Sequence, residues 1–271
     1  MRVGLCQTRT PATLAAALAH TAPLVREAAA EGAQLIITPE ATNILQRDRT
    51  KLFAAMRAPE EDECVLGLRA LAKELGVHLL IGSALVLRPD GKSANRSMLI
   101  GPDGEVKATY DKLHMFDVDL PTGERHRESL AYEAGDKAVL TEVAGAKVGL
   151  TICYDVRFPA LHRALAVGGA EILTVPSAFT KPTGEAHWHI LLRARAIETG
   201  SYVLAAAQGG VHEDGRGTYG HSLAIAPWGE IIGELDHDEP GVLIADLDLT
   251  NVATARAAIP ALANARPFTG P

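Results

Sequence analysis

Lys147-Val148-Gly149-Leu150-Thr151-Ile152-Cys153-Tyr154-Asp155-Val156-Arg157-Phe158-Pro159 is the stretch on which the reading of this chain turns. An apolar run with the look of a buried strand ends at a cysteine. After it, Phe158, Leu161 and Leu165 recur at helical spacing. A thiol at a strand-to-helix junction faces open backbone N–H groups and the positive end of a helix dipole, which favour the thiolate. The thiolate is the attacking form of a cysteine hydrolase. The alternative is a buried structural cysteine that packs as a small hydrophobe.

Two other segments bear on that choice. Gln34-Leu35-Ile36-Ile37-Thr38-Pro39-Glu40 reads as a buried strand with a carboxylate just past its end. Tyr110-Asp111-Lys112-Leu113-His114-Met115-Phe116-Asp117 sets a lysine among bulky apolar groups, where a solvated ammonium is unexpected. Together they supply a carboxylate, an ammonium and a thiol, each flanked by residues that suggest burial.

On these residues the chain resembles the nitrilase, or carbon–nitrogen hydrolase, superfamily, which works with a Glu-Lys-Cys triad. The matching positions are Glu40, Lys112 and Cys153, separated by 72 and 41 residues. Further matches are Arg127-Glu128-Ser129, Val175-Pro176-Ser177-Ala178-Phe179, Arg193 to Glu198 and Gly220-His221-Ser222, so the likeness runs from Val3 to about Leu249. The resemblance implies an α/β protein built as a four-layer α-β-β-α sandwich. It also implies a homodimer or higher homo-oligomer, with helices after Cys153 and Gly184 meeting their mates. Trp188, Leu191, Leu192 and Ile197 would serve either as that contact or as core.

The resemblance assigns roles as well. Cys153 attacks the carbonyl carbon of an amide. Glu40 takes the thiol proton and later delivers it to the leaving amine. Lys112 and the backbone N–H of Tyr154 stabilise the oxyanion. Glu128 occupies the place of a second glutamate and orients Lys112 or the substrate. A thioester forms and is hydrolysed, and no metal or organic cofactor is needed.

The run from Lys112 to Pro121 is similar to the Nit1-type branch, which includes amidases acting on deaminated glutathione. A neighbouring branch has ω-amidase activity, and carbamoylase chemistry lies within the same family. The first two imply anionic amides, for which Arg157, Lys181 and Arg127 are candidate cationic partners. An arginine fork suits a carboxylate. Asp155, in a first helical turn, reads as a cap and a possible partner of Arg157. A non-catalytic interaction protein on this fold is the other class of function, and a degenerate member would be expected to lose one of the three triad residues.

Composition narrows the field further. A chain of 271 residues with 47% apolar residues suits one large domain with an ample core. We place it at residues 1–250, followed by an Ala/Pro-rich tail at 251–271. The net charge of −7 disfavours a nucleic-acid partner. Cys6, Cys64 and Cys153 are an odd number, which points away from a disulfide framework and towards a reducing cytoplasm. No secretory leader or membrane-length apolar run is evident. His114, His187 and His189 invite a metal, but ligands two residues apart on a helix point to different faces, and no metal motif occurs.

Alternation of strand and helix patterns gives about twelve strands and helices at 11–31, 60–74, 159–167 and 185–198. Pro23 should end or kink the first helix. Residues 113–136 read as a long irregular stretch, a length that usually signals function or disorder.

Overall fold

A computed structural model describes residues 1–270 and shows two six-stranded sheets. The first runs in the order Gly241–Asp246, Arg2–Gln7, Leu35–Ile37, His78–Leu87, Ser93–Ile100, Val106–Asp111. The second runs Ile231–Glu234, Leu223–Ile225, Tyr202–Ala205, Ile172–Thr174, Ala146–Leu150, Val139–Val143. Six helices accompany them: α1 (Leu14–Ala30), α2 (Arg49–Ala55), α3 (Glu63–Leu75), α4 (Pro159–Val167), α5 (Lys181–Thr199) and α6 (Thr250–Ala258).

Side-chain alternation sorts these elements into layers. In the first sheet Val3, Leu5, Leu35, Ile37, Leu80 and Leu99 point to the second sheet and join Val148, Leu150, Ile172 and Tyr202 in one core. Their neighbours Cys6, Ile36, Leu79, Ile81, Met98 and Ile100 point the other way and pack with Ala17, Val25 and Ala28 of α1 and Leu68, Leu71 and Ala72 of α3. On the far side of the second sheet, α4 contributes Leu161 and Leu165, and α5 contributes Trp188, Leu192 and Ala196. The result is the α-β-β-α sandwich. Trp188 and Leu192 are therefore core, while Ile190 and Ile197 hold the outer face of α5.

All twelve expected strands form. Four further short ones make two hairpins, Asp117–Asp119 with Arg125–Arg127 and Gly209–Val211 with Gly217–Tyr219. The first hairpin and a 3-10 turn at Glu128–Leu130 lie in the stretch read as irregular. Three-residue strands carry too little alternation to be seen in sequence. Pro23 does not end α1, which continues to Ala30. Both Pro23 and Ala19, whose carbonyl would otherwise have been bonded, are exposed, so the unpaired carbonyl is left where solvent reaches it. Gly76 stops α3 as expected, with φ of 65° in the left-handed region. α6 lies in the segment read as a tail, and its Val252 is buried in the same core cluster as the second sheet.

Candidate active site

Strand ends bring the three expected residues together. Glu40 follows the strand Leu35–Ile37, Lys112 follows Val106–Asp111, and Cys153 follows Ala146–Leu150. Lys112 is only 1% exposed, and its Nζ donates to Glu40 Oε1 at 2.8 Å and to Glu128 Oε1 and Oε2 at 3.0 and 2.8 Å. Glu40, 7% exposed, also accepts from Ala178 N through Oε2 at 3.0 Å. Glu128 receives a further bond from Phe116 N at 2.7 Å, which fixes it over the lysine.

The backbone is shaped for this meeting. Cys153 has φ of 48° and Ala41 has φ of 57°, so a residue in the left-handed region stands at the nucleophile and another next to the carboxylate. Non-glycine residues hold that conformation at a cost that the surrounding structure must impose. The segment Thr38–Glu40 rests directly on Gly82, where an added Cβ would lie 1.9 Å from Thr38 O and 2.6 Å from Pro39 O.

Electrostatics set the protonation states. Burial pushes Glu40 upwards, but the charge of Lys112 and the hydrogen bonds from Lys112 and Asn95 outweigh it, so the carboxyl lies below its usual range. Burial would lower Lys112, yet the flanking Glu128 and Glu40 hold it well above its ordinary value. Burial and then the charge of Glu40 raise the Cys153 thiol well above its ordinary value, against a smaller opposing pull from Lys112. This corrects the expectation of a resting thiolate. The helix α4 starts only at Pro159, after a 3-10 turn over Cys153–Arg157, and the charge that acts most strongly on the sulfur is the carboxylate of Glu40. The resting site is thus thiol, carboxylate and ammonium, which is an acid–base pair ready for proton transfer on attack.

Asp155 is fully buried and makes no pair with Arg157. It accepts from Ile152 N at 2.8 Å, Tyr110 Oη at 2.7 Å, and His114 N and Nδ1 at 3.2 and 2.7 Å. His114 in turn stacks on Phe158 with ring centroids 3.5 Å apart. Asp155 thereby joins the lysine segment to the cysteine turn, a role its position as a cap did not reveal.

Above the triad opens a cavity of about 440 Å³. Glu40, Asn95, Lys112, Glu128, Cys153 and Tyr154 form part of its wall, and Arg157 and Arg127 line it with Arg47, Arg49, Arg125 and Arg216. Among the described residues Arg157 donates to no carboxylate; its Nη2 lies 3.1 Å from His187 Nδ1 and its Cζ 5.8 Å from the Phe179 ring centroid. Lys181 begins α5 on the exposed surface, outside the cavity lining. Arg127 is bidentate to Asp119 at 2.9 and 2.8 Å. Asn95, Arg47, Arg49 and Arg216 were not singled out in sequence, because nothing near them carries a recognisable spacing.

The carbon–nitrogen hydrolase family model matches residues 2–257, nearly the whole chain. The chain belongs to the carbon–nitrogen hydrolase family. As a carbon–nitrogen hydrolase it is an enzyme that cleaves amide C–N bonds, consistent with its relatives. It is 40% identical over 241 residues to a deaminated glutathione amidase of Yersinia enterocolitica, covering 87% of this chain and 82% of that one. It is 40% identical over 252 residues to the human deaminated glutathione amidase, covering 91% and 76%. The NitFhit protein of C. elegans superposes with a TM-score of 0.91 at 33% identity over 98% of this hydrolase, which spans 65% of that longer chain. An amidase of Nesterenkonia sp. AN1, seen with acrylamide added to its active-site cysteine, superposes with a TM-score of 0.78 at 30% identity over 96% and 98% of the two chains. Among the described residues no helix is long and apolar enough to cross a membrane, and no group of three or more His, Cys, Asp or Glu side chains is placed to hold a metal.

Proposed function

We propose that this hydrolase cleaves a small carboxylate-bearing amide through a thioester on Cys153. The observation that carries the reading is the buried ammonium of Lys112 held between Glu40 and Glu128 on the wall of the cavity that Cys153 also lines. The thiol proton passes to Glu40 as sulfur attacks the carbonyl carbon. The oxyanion is stabilised by Lys112 and the N–H of Tyr154; one such donor is typically worth about 2.7–4 kcal/mol. Glu40 then protonates the leaving amine, ammonia or amine departs, and water activated by Glu40 releases the acid. Glu128 keeps Lys112 aimed and charged. Every step uses groups of the chain itself and a water, so the reading calls for no cofactor.

For the substrate, the arginines of the cavity wall support an anionic amide, and deaminated glutathione is the compound that the relatives' names suggest. Arg157 is the arginine we assign to a substrate carboxylate, since it lines the cavity beside Cys153 and has no acidic partner. A panel of anionic amides, neutral amides of equal length, carbamoyl amino acids and nitriles, read by ammonia release, tests this. Anionic amides should lead; equal rates for neutral ones would reject the assignment.

We also infer a homodimer across the outer face of α5. Ile190 and Ile197 of α5 are more than half exposed, as are Trp228 and Ile259, and Ile197, Trp228 and Ile259 border a groove of about 360 Å³ formed with the segment after α6. Light scattering should give twice the 28.6 kDa chain mass. The three unpaired cysteines suit a reducing cytoplasm.

A further inference from the structure

Asn95 is 2% exposed in the strand Ser93–Ile100 and contacts both carboxylates of the site and the backbone of Lys112. Its Nδ2 donates to Glu40 Oε1 at 2.9 Å and to Glu128 Oε1 at 3.0 Å. Its backbone carbonyl accepts the N–H of Lys112 at 3.0 Å. The orientation of the amide follows from these partners, because a flipped amide would set Oδ1 against two carboxylates. In the orientation observed, Oδ1 is buried without a partner among the described residues. A buried acceptor left unpaired destabilises a fold, so packing alone would favour an apolar residue of this size. What the asparagine supplies is two N–H donors at one point between two carboxylates.

We propose that Asn95 is a positioning residue for the amidase reaction: one amide N–H on each carboxylate holds Glu40 and Glu128 apart and locks Glu40 with Oε2 towards the cysteine. Oε1 already receives two donors, from Asn95 and Lys112. Oε2 receives only the N–H of Ala178, and so keeps a lone pair for the thiol proton. Without the amide, nothing neutral separates the two carboxylates on the far side of the ammonium. They would then share a proton more readily, as like charges confined together do. Glu40 would lose its ionised form at a higher pH.

The inference rests on Glu40 being the base. The test is kcat/KM against pH for the wild type, Asn95→Leu, Asn95→Asp and Glu40→Gln, using the amide with the best turnover. The acid limb of Asn95→Leu should move up by about one pH unit. That of Asn95→Asp should move further, since a third carboxylate enters the cluster. Acid limbs that stay within about 0.3 pH units of wild type in both variants overturn the assignment, even where kcat falls, because a merely structural role lowers rates without moving the limb. Should Asn95→Leu fail to fold, Asn95→Asp, which keeps the shape, decides alone. Normal turnover by Glu40→Gln would instead reject Glu40 as the base, a failure distinct from an unmoved limb.

Discussion

Replacing Lys112 by methionine conserves volume and deletes one charge, so its consequences can be followed group by group. In the native site the ammonium faces three carboxylate contacts between 2.8 and 3.0 Å, with almost no solvent to replace it. Removing one partner of such a buried pair leaves uncompensated charge and costs about 3–5 kcal/mol. In Lys112→Met the burial of Glu40 is no longer opposed by its cation, so its carboxyl rises above the unfolded value of about 4.3. The variant is then least stable where unfolded carboxylates are ionised, and it recovers as the pH falls. In the wild type Glu40 lies below its usual range, so its contribution is present above the unfolded value and fades as pH falls through the folded one. The two trends close the gap between the proteins from both sides on acidification. Urea unfolding followed by circular dichroism at pH 7 and pH 4.5 should show a difference of about 3–5 kcal/mol that shrinks markedly at the lower pH. Turnover at pH 7 should fall by about 10³-fold or more, since an oxyanion donor and the charge that ionises Glu40 are lost together. A stability gap below about 1 kcal/mol, as for an exposed pair, or one that does not change with pH, would refute the reasoning.

Other outcomes follow from the same geometry. Gly82→Ala should cut kcat sharply, because its Cβ would press 1.9 Å from Thr38 O and shift the segment carrying Glu40; unchanged kinetics would show that segment to be free to move. Cys6→Ala and Cys64→Ala should stay active, since both thiols are buried in the helix-facing core, and ammonia release checks this. Arg157→Ala should raise KM for anionic amides far more than for neutral ones, by roughly ten- to a hundred-fold for a lost charged hydrogen bond, as steady-state kinetics would show.

The layers were legible because strands buried on both faces write themselves as continuous apolar runs, as in Leu35–Ile37 and Ile172–Thr174. Glu40 and Cys153 were legible because each stands just beyond such a run, and Lys112 because it sits among bulky apolar groups. What lay hidden had no periodic signature. Asn95 looks like any polar residue of a strand until its partners are seen, and Asp155 looks like a cap until Tyr110 and His114 arrive from another element. The protonation state of Cys153 was misjudged for a related reason. A local helix dipole can be inferred from sequence, whereas the carboxylate that outweighs it comes from a residue more than a hundred positions away.

Trapping the acyl-enzyme tests the central claim most directly. Wild-type protein mixed with a slowly turned-over amide, quenched in acid and examined by peptide mass spectrometry, should carry the acyl group on Cys153, while Cys153→Ala remains folded, unmodified and without ammonia release. Turnover by Cys153→Ala at the wild-type rate, or an acyl group on any other residue, would contradict the account.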